Sequence, residues 1–200
     1  MSDSLQNDIA YMKSLAEAGG AGPLRNGATL FWAGLLYGLA AVGQYSIVVG
    51  WLPRTNVMGM IVWFGASIVF GILATCLGFA RRREPGSATD RAAGYAWSAV
   101  GLGIIAFILT VVIIANRTHE FSSLSFVMAP AILLMYGMGW WVSAKMSGIG
   151  WLKLVAIGSF LGAPALGLMS GMPEQLLAYA ACLILFAMVP GLVLMRAQKA

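Results

Sequence analysis

The side chains best suited to acid-base or metal chemistry occur together in one short polar segment, residues 116–120, which reads Asn-Arg-Thr-His-Glu. His119 is the only histidine of the chain, and Glu120 follows it directly. An imidazole beside a carboxylate can transfer protons or contribute to a metal site, but a protein-bound metal ion needs three or four ligands. Because the chain has no second histidine, we interpret the segment as a solvated loop and predict no metal site.

The cysteines and serines give no support for redox or nucleophilic chemistry. Cys76 and Cys182 are the only cysteines, they lie in different apolar segments, and a Cys-x-x-Cys motif is absent. Cysteines in such surroundings act as small packing residues. A Gly-x-Ser-x-Gly nucleophile elbow is also absent. We therefore predict that the chain is not an enzyme, that it has no catalytic residue and that it needs no cofactor.

Three neutral side chains in the first apolar segment form the best candidate for a polar site inside a membrane. Gln44 is the most central of them, and Tyr37 and Tyr45 share its predicted helix. An amide and two hydroxyls could line a pore or bind the head group of a ligand. The alternative is that Gln44 hydrogen-bonds a neighbouring helix, a contact that stabilises membrane helix pairs by roughly 1 kcal/mol. The sequence favours this structural alternative and leaves the binding site open.

Membrane-spanning helices must position these residues, because the composition is that of a membrane protein. Apolar residues make up 60% of the chain and charged residues only 10%, whereas about 25% of the residues in soluble proteins are charged. Apolar stretches of roughly 18 or more residues predict transmembrane helices. We predict six such spans, at about residues 29–52, 57–80, 92–115, 124–144, 151–170 and 175–195. Two glycines and Pro164 weaken the fifth, so the alternative is five spans with a re-entrant fifth segment.

The distribution of charge predicts the orientation of the spans. With the N-terminus inside, all lysines and arginines except Arg54 and Arg117 fall in cytoplasmic segments. The basic excess therefore reflects topology and gives no reason to expect nucleic-acid binding. Apart from Lys153 at the cytoplasmic start of the fifth span, the spans contain no charged residue or histidine, which argues against a proton-coupled transporter or a haem held between helices. We predict a multi-pass protein of the cell (inner) membrane with both termini cytoplasmic.

The chain begins with a polar stretch, residues 4–18, that has the pattern of an amphipathic cytoplasmic helix. Its apolar stripe has helical spacing and consists of Leu5, Ile9, Met12 and Leu15. The polar face carries more acidic than basic residues, which disfavours binding to anionic lipid. We therefore predict that the stripe docks on protein, either on the cytoplasmic loops of this chain or on a partner.

Glycines spaced four residues apart predict sites of close helix packing. Gly34 and Gly38 form one such pair in the first span, and Gly158 and Gly162 form another in the fifth. Small residues at this spacing let two helix backbones approach each other. The contacts are predicted either within one chain or with another chain.

Most of the tryptophans are predicted to form aromatic belts at the two membrane interfaces. The belt residues would be Trp51, Trp97, Trp140, Trp141 and Trp151. In this interpretation their indole rings face lipid head groups instead of the protein interior.

These features predict an all-α integral membrane protein with three parts. Residues 1–28 form a cytoplasmic amphipathic helix and a glycine-rich turn, residues 29–195 form a six-helix transmembrane domain, and residues 196–200 form a cytoplasmic tail. We expect a non-catalytic subunit or helper of a membrane complex, whose partners are the lipid bilayer and another membrane protein or a second copy of itself. The alternative is a small transporter, channel or substrate-capture component for a neutral or apolar solute.

Overall fold

The computed structural model of the protein describes residues 7–9, 11–12, 24–81 and 86–198. These residues form helices and short connections, without a strand among them. As predicted, six helices are long and apolar enough to cross a membrane. They are α1 (Gly27–Val48), α2 (Asn56–Arg81), α3 (Ala88–Thr118), α4 (Phe121–Ser147), α5 (Gly150–Leu168) and α6 (Glu174–Ala197).

Only a small part of the predicted N-terminal helix belongs to the described residues. Residues 7–9 and 11–12 are helical. Leu5, Leu15 and the rest of the segment lie outside the described residues, so the amphipathic helix stays a prediction.

Helix α3 is longer than predicted because both of its ends are defined by local interactions. Ser87 precedes the helix in an extended conformation, and its hydroxyl accepts a hydrogen bond from the Asp90 N–H at 3.1 Å. This is the N-cap geometry that serine favours, and the Asp90 carboxylate suits the positive end of the helix dipole. The helix ends where His119 takes a left-handed conformation, with φ 59°.

The fifth apolar segment is a continuous helix, so the re-entrant alternative is wrong. Helix α5 runs over 19 residues without a break and contains Pro164. At 1.5 Å per residue this length covers roughly 28 Å, close to the thickness of the hydrocarbon core of a bilayer.

The helices pack in the order α2, α1, α6, α5, α4, α3. Helix α1 packs along α2 and α6, helix α4 packs along α3 and α5, and α6 also contacts α4 and α5. Among the described helices, α2 makes extended contact with α1 alone, and α3 with α4 alone. The two outer helices, although consecutive in sequence, therefore do not pack against each other.

Helices α1 and α6 approach each other so closely that their contact requires glycine. A Cβ atom on Gly34 would lie 2.4 Å from the backbone nitrogen of Met188 and 2.9 Å from the carbonyl oxygen of Leu183. A Cβ atom on Gly27 would lie 2.7 Å from the carbonyl oxygen of Gly191. Since these neighbours are backbone atoms, no side-chain movement could make room for a larger residue.

A proline inside α6 leaves a carbonyl group without its helical donor, and α4 supplies a replacement. Pro190 has no N–H, so the Phe186 carbonyl four residues earlier cannot accept the usual α-helical hydrogen bond. The indole N–H of Trp140 donates to that carbonyl at 2.6 Å. Helix α6 also widens into a π-helical turn at Ile184–Met188, just before the proline.

A proline inside α4 is compensated in the same way by α6. Pro130 leaves the Phe126 carbonyl without its helical donor. The side-chain Nε2 of Gln175 donates to that carbonyl at 3.1 Å and to the Leu166 carbonyl near the end of α5 at 3.0 Å. Helices α4 and α6 thus each satisfy a backbone group that a proline has freed in the other, as membrane helices with internal prolines require.

Hydrogen bonds also join three helix termini at one end of the bundle. The Arg25 backbone N–H, just before α1, donates to the Asp90 carboxylate in the first turn of α3 at 2.7 Å. The Gln198 side chain, just after α6, donates to the Leu24 carbonyl at 2.5 Å. The beginnings of α1 and α3 and the end of α6 therefore lie at the same end of the molecule.

Candidate functional site

The three residues predicted to form a polar membrane site are not brought together. Tyr37 faces α2, where its hydroxyl donates to the Ser67 hydroxyl at 3.4 Å. Gln44 also faces α2, with its amide oxygen 3.3 Å from the position of a Cβ atom on Gly59. Tyr45 packs edge-on against Trp51 in the connection after α1, with ring centroids 6.0 Å apart. Gln44 therefore lies at a helix contact, and Tyr37 alone belongs to the site described next.

A different group of tyrosines, Tyr37, Tyr136 and Tyr179, converges between α1, α4 and α6, and we call it the tyrosine cluster. Tyr136 and Tyr179 belong to the buried core, and Tyr37 packs against that core. Tyr136 is 7% exposed and Tyr179 is 4% exposed.

Other polar side chains next to the cluster have hydrogen-bond partners. The indole N–H of Trp97 donates to the Ser143 hydroxyl at 3.0 Å, and that hydroxyl donates to the Gly139 carbonyl at 2.8 Å. The Trp97 ring lies edge-on to Tyr136 and to Trp140, with centroids 5.5 Å and 5.0 Å away.

The two outer helices flank the tyrosine cluster from opposite sides. Helix α2 contacts Tyr37 through Ser67 and through the ring of Phe70, whose centroid is 5.5 Å away. Helix α3 contacts Tyr136 through Trp97. Helices α2 and α3 make no extended contact with each other.

Trp97 and Trp140, which were predicted to lie at the membrane interfaces, lie at this site instead, so the prediction is wrong for these two residues. Trp140 is fully buried, and Trp97 is half-buried between α3 and α4. Sequence reasoning also missed Tyr136 and Tyr179. A signal was present in α4, where Tyr136, Trp140 and Ser143 share one helix face and mix aromatic rings with hydrogen-bonding groups.

All four glycines predicted for helix packing contact other helices of the same chain. Gly34 and Gly38 face α6. Cβ atoms on Gly158 and Gly162 would lie 2.5 Å and 3.6 Å from the ring of Phe186 in α6. These glycines therefore accommodate the aromatic ring that precedes Pro190.

Of the predicted apolar stripe in the N-terminal segment, the structure describes only Ile9 and Met12. Ile9 is 55% exposed and Met12 is 65% exposed. At these two positions the stripe is not buried against this chain, and docking on a partner stays a prediction.

The polar segment with the only histidine lies at the connection between α3 and α4. His119 and Glu120 are exposed. Among the described residues, no group of three or more histidine, cysteine, aspartate or glutamate side chains is placed to hold a metal ion.

A shallow apolar groove of about 370 Å³ runs between α3 and α4. Ala96, Val100 and Gly103 line it from α3, and Met135 and Val142 line it from α4. It offers no polar side chain to a ligand.

Comparison with known proteins finds no relative of this chain. No protein-family model, no curated protein and no solved structure matches the chain.

Proposed function

We propose that the chain is a non-catalytic, multi-pass subunit or helper of a membrane complex, and that α2 binds a transmembrane helix of the partner. The observation that carries this proposal is the exposure of α2. The most apolar stretch of α2, within Val57–Ala80, contains no buried residue. In the most apolar stretches of α1, α4 and α6, about a third of the residues are buried. Helix α2 therefore has the smallest buried fraction of the six helices.

The open face of α2 suits another helix because small residues occur along it. Gly71 and Gly78 would have open space around a Cβ atom, with no heavy atom of a neighbouring element within 4 Å. The Thr75 hydroxyl donates to the Gly71 carbonyl one turn earlier in α2 itself. Gly71 and Thr75 are four residues apart, which is the spacing at which membrane helices approach closely.

Cross-linking from α2 tests this docking. A photoreactive amino acid at Phe64, two turns before Gly71 and 65% exposed, should capture a protein in native membranes. The matched position is Leu161 of α5, which is 66% exposed and should capture lipid. Capture of protein at both positions or at neither would contradict the proposal. A product containing only this chain would identify a second copy as the partner.

Replacing Gly71 by leucine should reduce the recovery of the partner roughly tenfold, since helix contacts in membranes contribute about 1–2 kcal/mol. The isolated chain should remain folded because a side chain at Gly71 has open space. The control is Gly101→Leu in α3, where a Cβ atom also meets nothing within 4 Å. Equal recovery of the partner with both variants would rule out α2 as the docking helix.

We also propose that the protein belongs to the inner membrane and has both termini in the cytoplasm, because the basic residues favour this orientation. Reporter fusions at Pro85 and Gly148 should then report a cytoplasmic location, and a fusion at Thr118 should report the outside. A cytoplasmic signal at Thr118 would overturn the orientation. In this orientation Ile9 and Met12 present a second docking surface to a cytoplasmic part of the partner.

A second candidate function is the capture of a neutral or apolar solute. It is favoured by one observation, the groove of about 370 Å³ between α3 and α4, whose lining side chains are apolar and suit an uncharged ligand.

A further inference from the structure

The groove between α3 and α4 begins near one end of the bundle and runs toward its middle. The two helices are antiparallel neighbours, since a Cβ atom on Gly103 would lie 3.8 Å from the Met135 sulfur and one on Gly139 would lie 3.2 Å from the ring of Trp97. On α4 the groove extends from Val142, near the end of the helix, back to Met135. Its outer end is therefore the end of the bundle at which α3 begins and α4 ends.

The length of the groove and of the helix turn outside it matches the depth of one bilayer leaflet. Lys145, in the last turn of α4, and Met135, at the inner end of the groove, are ten positions apart. At 1.5 Å per residue they are separated by roughly 15 Å, which is half of the roughly 30 Å hydrocarbon core. A lipid chain anchored beside Lys145 would therefore follow the groove to the middle of the bilayer.

The outer end of the groove carries positive charge. The Lys145 ammonium lies 5.3 Å from the centre of the Trp141 ring, a cation–π arrangement that leaves its charge in place. Arg91, in the first turn of α3, is exposed and donates to the Gly86 carbonyl at 2.7 Å. Asp90 is the only acidic residue of α3 and α4, and its carboxylate accepts a hydrogen bond from the backbone before α1. Positive charge therefore exceeds negative charge at this end.

An apolar groove that ends at a basic side chain matches a molecule with an apolar chain and an anionic head group. Basic sites between membrane helices bind the phosphates of anionic lipids. The groove itself offers only apolar side chains, which suit an acyl chain and leave the polar contact to Lys145.

We propose that the groove binds one acyl chain of an anionic phospholipid, taken from the leaflet at its outer end, and that Lys145 binds the phosphate. Arg91 adds to the attraction of this end for anionic lipid. In the orientation proposed above, the lipid comes from the cytoplasmic leaflet. The site is independent of partner docking on α2, since α2 does not line the groove.

Photolabelling of the full chain in phosphatidylcholine vesicles tests the proposal. The probe is a phosphatidylglycerol with a diazirine on one acyl chain, and the comparison probe is phosphatidylcholine with the same labelled chain. Residues 96–103 and 135–142 should take up the phosphatidylglycerol probe roughly fivefold more, the preference expected from one basic residue. The exposed Phe64 of α2 should take up both probes equally. Equal labelling of the groove by both probes would overturn the proposal and leave the groove to a neutral solute.

Variants of Lys145 test the contact with the head group. Lys145→Gln should lower labelling of the groove by the phosphatidylglycerol probe roughly fivefold, because one cation is lost, whereas Lys145→Arg should retain the labelling. The control is Lys153→Gln, which removes the same charge from an exposed position in the first turn of α5, outside the groove. A similar loss in both glutamine variants, or no loss in either, would show that Lys145 does not bind the phosphate.

Filling the groove tests the contact with the acyl chain. Ala99 lines the groove and is exposed, so Ala99→Phe places a ring in the groove without removing a buried side chain. Labelling by the phosphatidylglycerol probe should fall roughly tenfold, the loss expected when two methylene groups no longer fit. The control is Ala106→Phe, at an exposed position two turns farther along α3 and outside the groove. Undiminished labelling of Ala99→Phe would show that the chain does not lie in the groove.

Competition in the wild-type chain gives a result that does not depend on the folding of any variant. Adding unlabelled phosphatidylglycerol to the vesicles should reduce labelling of the groove by the phosphatidylglycerol probe, whereas the same amount of additional phosphatidylcholine should not. Equal effects of the two lipids would overturn the preference for an anionic head group.

Discussion

Replacing Gly34 by leucine is expected to prevent the six helices from forming a stable bundle, with a loss of roughly 3 kcal/mol or more in the free energy of unfolding. The first atom of the new side chain would lie 2.4 Å from the backbone nitrogen of Met188 and 2.8 Å from its Cβ atom. Backbone atoms of a helix cannot move aside locally, so α1 and α6 would have to separate. Their separation would expose the longest contact that α6 makes with the rest of the molecule.

Thermal unfolding of the purified chain in detergent measures this effect. Gly101→Leu is the matched control, because it adds the same side chain where no neighbouring atom lies within 4 Å. We expect the control to unfold near the wild-type temperature and Gly34→Leu to be recovered poorly or to unfold far earlier. Similar melting temperatures for the two variants would show that the packing of α1 on α6 is wrong.

Replacing Trp140 by alanine is expected to destabilise the protein by about 3–5 kcal/mol, the usual range for deleting a buried large aromatic side chain. Trp140 is fully buried, lies 5.0 Å from the ring of Trp97 and donates to the Phe186 carbonyl. The alanine variant would lose the ring contacts and would also leave that carbonyl unsatisfied in α6.

A double-mutant cycle with Pro190 separates the hydrogen bond from the packing. Trp140→Phe retains an aromatic ring but removes the donor, so it should cost about 1–3 kcal/mol. Pro190→Ala restores a backbone N–H four residues after Phe186, and the same Trp140→Phe change should then cost less. Melting temperatures of the wild type, the two single variants and the double variant in detergent give the coupling between the Trp140 and Pro190 substitutions. Equal costs in the two backgrounds would show that the indole does not replace the helical donor.

The number of helices could be predicted from the sequence because a span needs only length and low polarity. Pro164 was interpreted as a possible interruption, yet α5 is continuous. Pro130 and Pro190 have greater structural consequences, but their effects depend on Gln175 and Trp140, which lie in other helices. Sequence spacing within one span cannot reveal a donor that comes from another.

The packing of the helices and the tyrosine cluster could not be predicted for a related reason. In a soluble helix the apolar face marks the interior, but in a membrane both lipid and interior favour apolar residues. Tyr136 and Trp140 were therefore indistinguishable from aromatic residues at an interface. Gln44 drew attention because it is polar, but it lies against Gly59 at a helix contact. Tyr136 and Tyr179 became evident as core residues only from their burial.

The exchange of donors between α4 and α6 constrains how the protein is made. Phe126 and Gln175 are 49 positions apart, so a ribosome delivers the carbonyl to the membrane well before it translates the residue that satisfies it. An unsatisfied backbone group in lipid costs several kcal/mol, and the nascent chain carries this cost until α6 arrives. Helix α6 then packs against Gly27 and Gly34 of α1. It donates a hydrogen bond to the Phe126 carbonyl of α4, and its own Phe186 carbonyl accepts one from Trp140 of α4. Helix α6 therefore completes these contacts only after α4 has entered the membrane, and a chain terminated before Glu174 would leave the Phe126 carbonyl without its replacement donor.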